Sequence, residues 1–134
     1  MVKNTAIALD TCVAIELLKG NSRIRSEIKN YHVTYLPVTV CGELIFGAIN
    51  SGNRKQNYLK VKDFINDCVV LNSNRLVADQ YAITRKNLAI KGKPIPENDI
   101  WIAAICLIHD LRLITLDKHF KHIDALDLTL TELS

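Results

Sequence analysis

Three acidic residues stand where the chain passes from one predicted element to the next, and a fourth lies within a predicted helix. Asp10 directly follows an apolar run, Asp117 comes two residues after another, and Asp99 opens an apolar helical segment behind a proline-containing loop. Glu43 lies inside a further predicted helix, flanked by apolar neighbours. Carboxylates are the usual protein ligands of hard divalent cations. The four acids are therefore candidates for an oxygen-rich metal site.

Mutual repulsion opposes such a gathering of acids. At a separation of about 5 Å, two ionised carboxylates repel each other by about 3 kcal/mol at an effective dielectric constant near 20. Four of them in one cleft therefore need a cation. Oxygen ligands favour Mg²⁺ or Mn²⁺, whereas soft metals would recruit cysteines or histidines.

The cysteines and histidines show no metal-binding spacing. His119 and His122 are close together but lack a third ligand nearby in the sequence, so we interpret them as part of a solvated helix face. The four cysteines are widely separated, include no C-x-x-C pair and lie in apolar stretches, which predicts reduced core side chains. They are Cys12, Cys41, Cys68 and Cys106.

Each acid also has an ordinary structural explanation. Asp10 and Asp117 could cap helices. Asp99 could be a first-turn acid that the helix dipole favours, and Glu43 could be a solvated surface acid. The combination of all four acids, rather than any one of them, favours a shared site.

Apolar periodicity predicts alternating strands and helices. The predicted strands cover residues 5–9, 32–36, 68–71, 112–115 and 126–130. The predicted helices cover residues 11–18, 22–30, 39–51, 53–66, 74–90 and 98–109, with a helical turn at 117–121. This order predicts an α/β fold with a mostly parallel sheet of about five strands, covered on both faces.

The carboxyl ends of parallel strands meet at one edge of the sheet, where such folds place their working sites. We expect Asp10, Asp99 and Asp117 to open onto this edge and Glu43 to point toward it. Thr11 and Thr115 adjoin the strand ends, and their hydroxyls could orient a carboxylate or a water, or could simply cap a turn.

Length, composition and charge restrict the class of protein. A chain of 134 residues with 49% hydrophobic residues suits one domain with its own core. The longest apolar run, residues 100–108, is shorter than the ~20 residues of a membrane span, and an acid at position 10 interrupts any early secretory signal. We therefore expect a cytoplasmic protein without a membrane segment. Residues 54–93 hold nine basic and three acidic side chains, a local charge of +6 that suits a polyanionic partner.

Four sequence blocks occur in the order of a known family's motifs. They are LDTCVAIELL at residues 9–18, PVTVCGELIFGA at 37–48, IPENDIWIAA at 95–104 and LITLDKHF at 113–120. In this order and spacing the chain resembles the PIN-domain ribonucleases, and among them the VapC-type toxins of bacterial toxin-antitoxin systems. The resemblance implies that residues 1–134 form a single PIN domain with a Rossmann-like, three-layer α/β/α fold.

The resemblance also implies a site and an activity. Carried over residue by residue, Asp10, Glu43, Asp99 and Asp117 match the family's catalytic, metal-binding quartet. Cys12 and Asp117 both stand where many members have Asn. The implied activity is endonucleolytic hydrolysis of RNA phosphodiester bonds by a water that Mg²⁺ or Mn²⁺ activates.

The same resemblance implies two protein partners, a second copy of the chain and an antitoxin. Similar proteins form homodimers and are silenced by a cognate antitoxin whose C-terminal segment lies over the cleft. The apolar helices after Pro37 would supply the groove for it.

Two other α/β families that use an acid at the end of a strand fit this sequence less well. A haloacid-dehalogenase-like phosphatase needs a second Asp two residues after the first, where this chain has Cys12. A receiver domain needs an adjacent acidic pair near its first strand, which this sequence lacks. A PIN module that binds RNA or a partner without cutting is the remaining alternative, and metal-dependent cleavage separates it from the nuclease.

Overall fold

Five parallel strands form the central sheet of the computed structural model, which describes residues 5–134. The strands are β1 (Ala6–Leu9), β2 (Val33–Pro37), β3 (Val69–Leu71), β4 (Leu113–Thr115) and β5 (Leu128–Leu130). Their order across the sheet is β3-β2-β1-β4-β5, and every neighbouring pair is parallel. The predicted α/β fold with a parallel sheet is confirmed.

In the described part of the chain, six α-helices and one 3₁₀ helix connect the strands. They are α1 (Thr11–Leu18), α2 (Ser22–Ile28), α3 (Val38–Ile49), α4 (Arg54–Asn66), α5 (Arg75–Lys91), α6 (Glu97–His109) and the 3₁₀ helix Lys118–His122. Helices α1 to α4 pack against one another and α5 packs against α6, as expected if right-handed crossovers place the two groups on opposite faces of the sheet. No helix within residues 5–134 has both the length and the apolar character needed to cross a membrane.

The element boundaries lie within two residues of the sequence-based prediction, and two of the differences have a clear cause in the backbone. Strand β2 runs through Pro37, and α3 begins at the next residue, so strand and helix adjoin without a loop. Strand β5 begins at Leu128 rather than at residue 126, because Ala125 adopts a left-handed backbone conformation with φ of 65° and turns the chain just before the strand. Both differences arise from local backbone geometry that apolar periodicity does not report.

The core lies between the sheet and its helices. Ile7, Ala8 and Leu9 of β1 are fully buried, as befits the central strand of a parallel sheet covered on both faces. Two of the cysteines, Cys41 and Cys106, are buried as predicted, whereas Cys12 and Cys68 are only partly buried.

Phe120 is the largest fully buried side chain, and it fixes the 3₁₀ helix that follows β4. We expect Phe120→Ala to lower the free energy of unfolding by about 3–5 kcal/mol, because it removes a buried aromatic ring and leaves a cavity. Urea unfolding followed by circular dichroism measures the change.

Phe46→Ala is the matched control for this substitution. Phe46 lies on α3 with 68% of its surface exposed, so its removal should change the free energy of unfolding by no more than about 0.5 kcal/mol. Equal losses in the two variants would contradict the anchoring role of Phe120.

Candidate metal centre

The candidate site lies where the connections from the sheet diverge. Strands β1 and β4 are neighbours at the centre of the sheet. The chain continues from β1 to β2 on one side of this pair and from β4 to β5 on the other. Ligand sites of parallel α/β sheets occur at such switch points, beyond the carboxyl ends of the strands. Asp10 follows β1 and Asp117 follows β4, so both border the switch point.

Asp10 is 4% exposed and is held by three donors. The Thr11 backbone N–H donates to Oδ1 at 2.8 Å, and the Thr115 hydroxyl donates to Oδ2 at 2.6 Å. The Cys12 thiol also donates to Oδ2, at 3.3 Å. Asp10 does cap α1, so the structural explanation is correct for this acid, but the donors also compensate a buried carboxylate at the sheet edge.

Thr115 connects the ends of the two central strands. Its hydroxyl is buried, donates to Asp10 and accepts the Asp117 backbone N–H at 3.0 Å. Thr11 plays a similar part for Glu43, because its hydroxyl donates to Oε1 of that residue at 2.8 Å. Of the roles left open for these two hydroxyls, the structure shows hydrogen bonds to carboxylates.

Asp99 and Asp117 converge with a third residue, His119. One ligand atom from each of the three residues lies within 4.8 Å of the others. Nε2 of His119 is 2.8 Å from Oδ2 of Asp99, and Nδ1 is 3.4 Å from Oδ1 of Asp117. The Asp117 side chain makes no capping hydrogen bond at the start of the 3₁₀ helix in the described chain, so capping does not explain its presence.

The interpretation of His119 as part of a solvated helix face is therefore wrong. Its partner Asp99 comes from the start of α6, distant in sequence, so a search for ligands near His119 misses it. His122 lies outside the three-residue cluster. The sequence held one signal that could have identified His119 as a site residue, because it comes two residues after Asp117, the acid that follows β4.

The charges of the site act on one another. Burial, and then the charge of Asp10, raise the pKa of Asp99 from 3.8 to about 6, while His119 opposes the rise. Burial and the Asp10 charge also raise the pKa of the Cys12 thiol to about 11, so the thiol stays protonated and acts as a donor. The site thus has an excess of negative charge that a cation would relieve.

The donor atoms fit a divalent cation. The carboxylates supply oxygen ligands, and Nε2 of His119 is a buried nitrogen with no aligned hydrogen bond within residues 5–134. Its 2.8 Å approach to Asp99 is short, but the ring geometry does not direct an N–H along it, so the contact is electrostatic. Asp10 and Glu43 lie outside the three-residue cluster and connect to it through Thr115 and Thr11.

The parallel sheet and the acids at its switch point place this chain among the α/β proteins that have a candidate metal centre at the carboxyl edge of the sheet. A family model for the PIN domain matches residues 7–126. The chain belongs to the PIN domain family.

Relatives and solved structures agree with this assignment. Ribonuclease VapC1 of Haemophilus influenzae strain R2866 is 32% identical over 124 residues, which cover 88% of this chain and 92% of the relative. The fold is similar to that in the DNA-bound VapBC from Salmonella typhimurium, with a TM-score of 0.86 and 27% identity over 96% of this chain and 98% of that one. VapBC-1 from nontypeable H. influenzae gives a TM-score of 0.84 and 28% identity, covering 93% of this chain and 97% of that one.

We expect Asp99→Asn to stabilise the metal-free protein above about pH 6. The folded-state pKa of Asp99 lies above its ordinary value of 3.8. Protonation therefore favours the fold below about pH 4, and this contribution is lost as the pH rises through about 6. A neutral amide avoids the loss and should add about 1–2 kcal/mol to the free energy of unfolding at about pH 7.5, after allowance for solvent screening.

Urea unfolding in EDTA, at about pH 7.5 and about pH 4, tests this expectation. The gain should shrink at the lower pH. Asp79→Asn, at an exposed position on α5, is the matched control and should change little at either pH. Destabilisation by Asp99→Asn at both pH values would contradict the raised pKa.

Proposed function

We propose that this protein is a metal-dependent endoribonuclease, the toxin of a toxin-antitoxin pair. The observation that carries the proposal is the convergence of carboxylates at the switch point of a PIN fold. A relative with 32% identity is named Ribonuclease VapC1, and similar solved structures are VapBC complexes. We place its work in the cytoplasm, where its RNA substrate is available.

The proposed metal-binding and catalytic residues are Asp10, Glu43, Asp99 and Asp117, and the proposed ion is Mg²⁺ or Mn²⁺. When bound, the ion would activate the attacking water and neutralise charge on the scissile phosphate. The chain's own contribution is positioning. Thr115 and the α1 N-terminus hold Asp10, Thr11 holds Glu43, and α6 presents Asp99 in its first turn.

Exposed cations on α4 and α5 support an RNA substrate. Phosphate contacts by Lys and Arg provide salt-dependent attraction that is independent of sequence. Two of these cations are partly neutralised, because Arg85 approaches Glu97 at 3.6 Å and Lys91 pairs with Asp124 at 2.6 Å. The other exposed cations between residues 54 and 93 are Arg54, Lys55, Lys60, Lys62, Arg75, Lys86 and Lys93.

The alternative is a PIN module that binds RNA or a partner without cutting it. The acids at all four motif positions, and the hydroxyls and thiol that hold Asp10 and Glu43, favour catalysis over this alternative. A binding module would have no need to keep several carboxylates close together against their mutual repulsion.

Purified protein is expected to cleave a susceptible RNA with Mg²⁺ or Mn²⁺ and to stop in excess EDTA. Asp10→Asn and Asp99→Asn should each lower the rate at least about a hundredfold, because they remove ligands of an ion that supplies several kcal/mol of transition-state stabilisation. Gel analysis of labelled RNA measures the rate, and circular dichroism checks the fold.

Asp79→Asn again provides the control, since it removes an exposed acid from α5 and should retain the full rate. Undiminished cleavage in EDTA, or in both site variants, would exclude the metal-nuclease proposal. RNA binding without cleavage under every metal condition would favour the non-cleaving module.

An apolar groove supports the proposed antitoxin partner. It has a volume of about 440 Å³ and lies between α1, α3 and α4. Glu43 forms part of its wall, so the groove adjoins a proposed ligand of the metal. An amphipathic segment bound there would reach the site, as silencing by an antitoxin requires. The other lining residues are Ile15, Leu18, Lys19, Leu44, Gly47, Ala48, Asn57, Lys60 and Val61.

Gly47→Phe should abolish antitoxin binding and leave RNA cleavage intact. A Cβ atom at Gly47 would meet no atom within 4 Å, and Gly47 lines the groove, so a ring added there should fill the groove and leave the fold intact. Co-purification with the small protein encoded in the adjoining reading frame measures the interaction. Gly47→Ala is the matched control and should still bind, and normal binding by Gly47→Phe would exclude this groove.

We also propose a homodimer, as the family resemblance implies. Leu76, Ile83 and Ile90 follow one another at seven-residue spacing along α5, which places them on one side of the helix. All three are more than half exposed, at 61%, 55% and 72%. An apolar stripe of this kind supports association with a second copy.

A further inference from the structure

We infer that His119 is a ligand of the metal ion and that it makes the site prefer Mn²⁺ to Mg²⁺. The inference rests on the proposed metal-dependent function and adds a nitrogen ligand to the four acids. Mg²⁺ binds through oxygen and water ligands, whereas imidazole suits transition metals. A histidine in the ligand set therefore changes which ion is bound more tightly.

The distances around His119 suit a shared ion. Donor atoms of Asp99, Asp117 and His119 lie within 4.8 Å of one another. Ligands of an octahedral ion with bonds of about 2.1 Å lie about 3 to 4.2 Å apart. Small side-chain adjustments are therefore enough for the three residues to contact one ion.

Nε2 of His119 is the nitrogen available for coordination. It is buried, and it makes no aligned hydrogen bond within residues 5–134. It lies 2.8 Å from Oδ2 of Asp99, so the nitrogen faces a carboxylate that is itself a proposed ligand. Adjacent ligands of an octahedral ion with bonds of about 2.1 Å lie about 3 Å apart, so this separation is close to that of two ligands of one ion.

The rest of the ring is already positioned for this role. Nδ1 lies 3.4 Å from Oδ1 of Asp117, so the imidazole ring is flanked by both carboxylates of the cluster. The fully buried Phe120 ring lies 4.9 Å from the imidazole, centroid to centroid, and holds the segment. The ring would thus be oriented before the ion arrives.

A competing explanation predicts the opposite change in metal affinity when the His119 side chain is removed. If His119 only balanced the charge of the two carboxylates, an arriving ion would have to displace it. Removing the side chain would then tighten the binding of Mg²⁺ and Mn²⁺ alike, because the carboxylates would lose a competing partner. Removing a ligand instead weakens binding, and most strongly for the ion that favours imidazole.

Titration calorimetry of the metal-free, full-length protein with Mn²⁺ and with Mg²⁺ distinguishes these explanations without any RNA. We expect His119→Ala to lower the affinity for Mn²⁺ at least about tenfold and that for Mg²⁺ less than about threefold. His119→Asp, which provides an oxygen ligand instead, should bind both ions with a reduced preference for Mn²⁺. His122→Ala is the matched control and should behave as the wild type.

A spectroscopic measurement tests the bond itself. Electron spin-echo spectra of bound Mn²⁺ should show modulation from an imidazole nitrogen in the wild type and in His122→Ala, and no modulation in His119→Ala. The inference is overturned if this modulation persists in His119→Ala, if both ions bind that variant more tightly or equally well, or if the wild type binds neither ion. If the modulation is present but no metal supports RNA cleavage, the proposed function fails while the ligand assignment stands.

Discussion

The close approach of carboxylates beyond β1 and β4 is the constraint on which the rest of the site depends. Asp10 is buried there, and its charge helps to raise the pKa of Asp99 to about 6. In the absence of a cation, such crowding opposes folding. The protein compensates with a fixed set of donors, and the remaining negative charge is available to attract a divalent ion.

That compensation is built largely from short polar side chains on the strands and first turns around the site. Thr115 lies at the end of a fully buried strand and bonds both to Asp10 and to the backbone of Asp117. Thr11 connects the start of α1 to Glu43 on α3. Because these bonds join β1, β4, α1 and α3, the site is rigid to the extent that the sheet and its first helices are rigid.

Glu43 connects two parts of the proposed function. Its carboxylate is held toward the sheet edge by Thr11, and its side chain also lines the apolar groove beside α4. A partner seated in that groove would contact a proposed metal ligand directly. Binding of the proposed antitoxin and catalysis would therefore compete through one residue, with no need for a change of fold.

The sequence by itself determined the order of the elements and the identity of the acids. Helical and strand periods are local, and Asp10, Asp99 and Asp117 stand at element ends that those periods locate. Tertiary structure decided which side chains meet. It brought His119 to Asp99 at the start of α6, and it brought Thr115 of β4 to Asp10 at the end of β1. These contacts depend on strand order and backbone direction, which arise from packing of distant segments and leave no periodic signal in the chain.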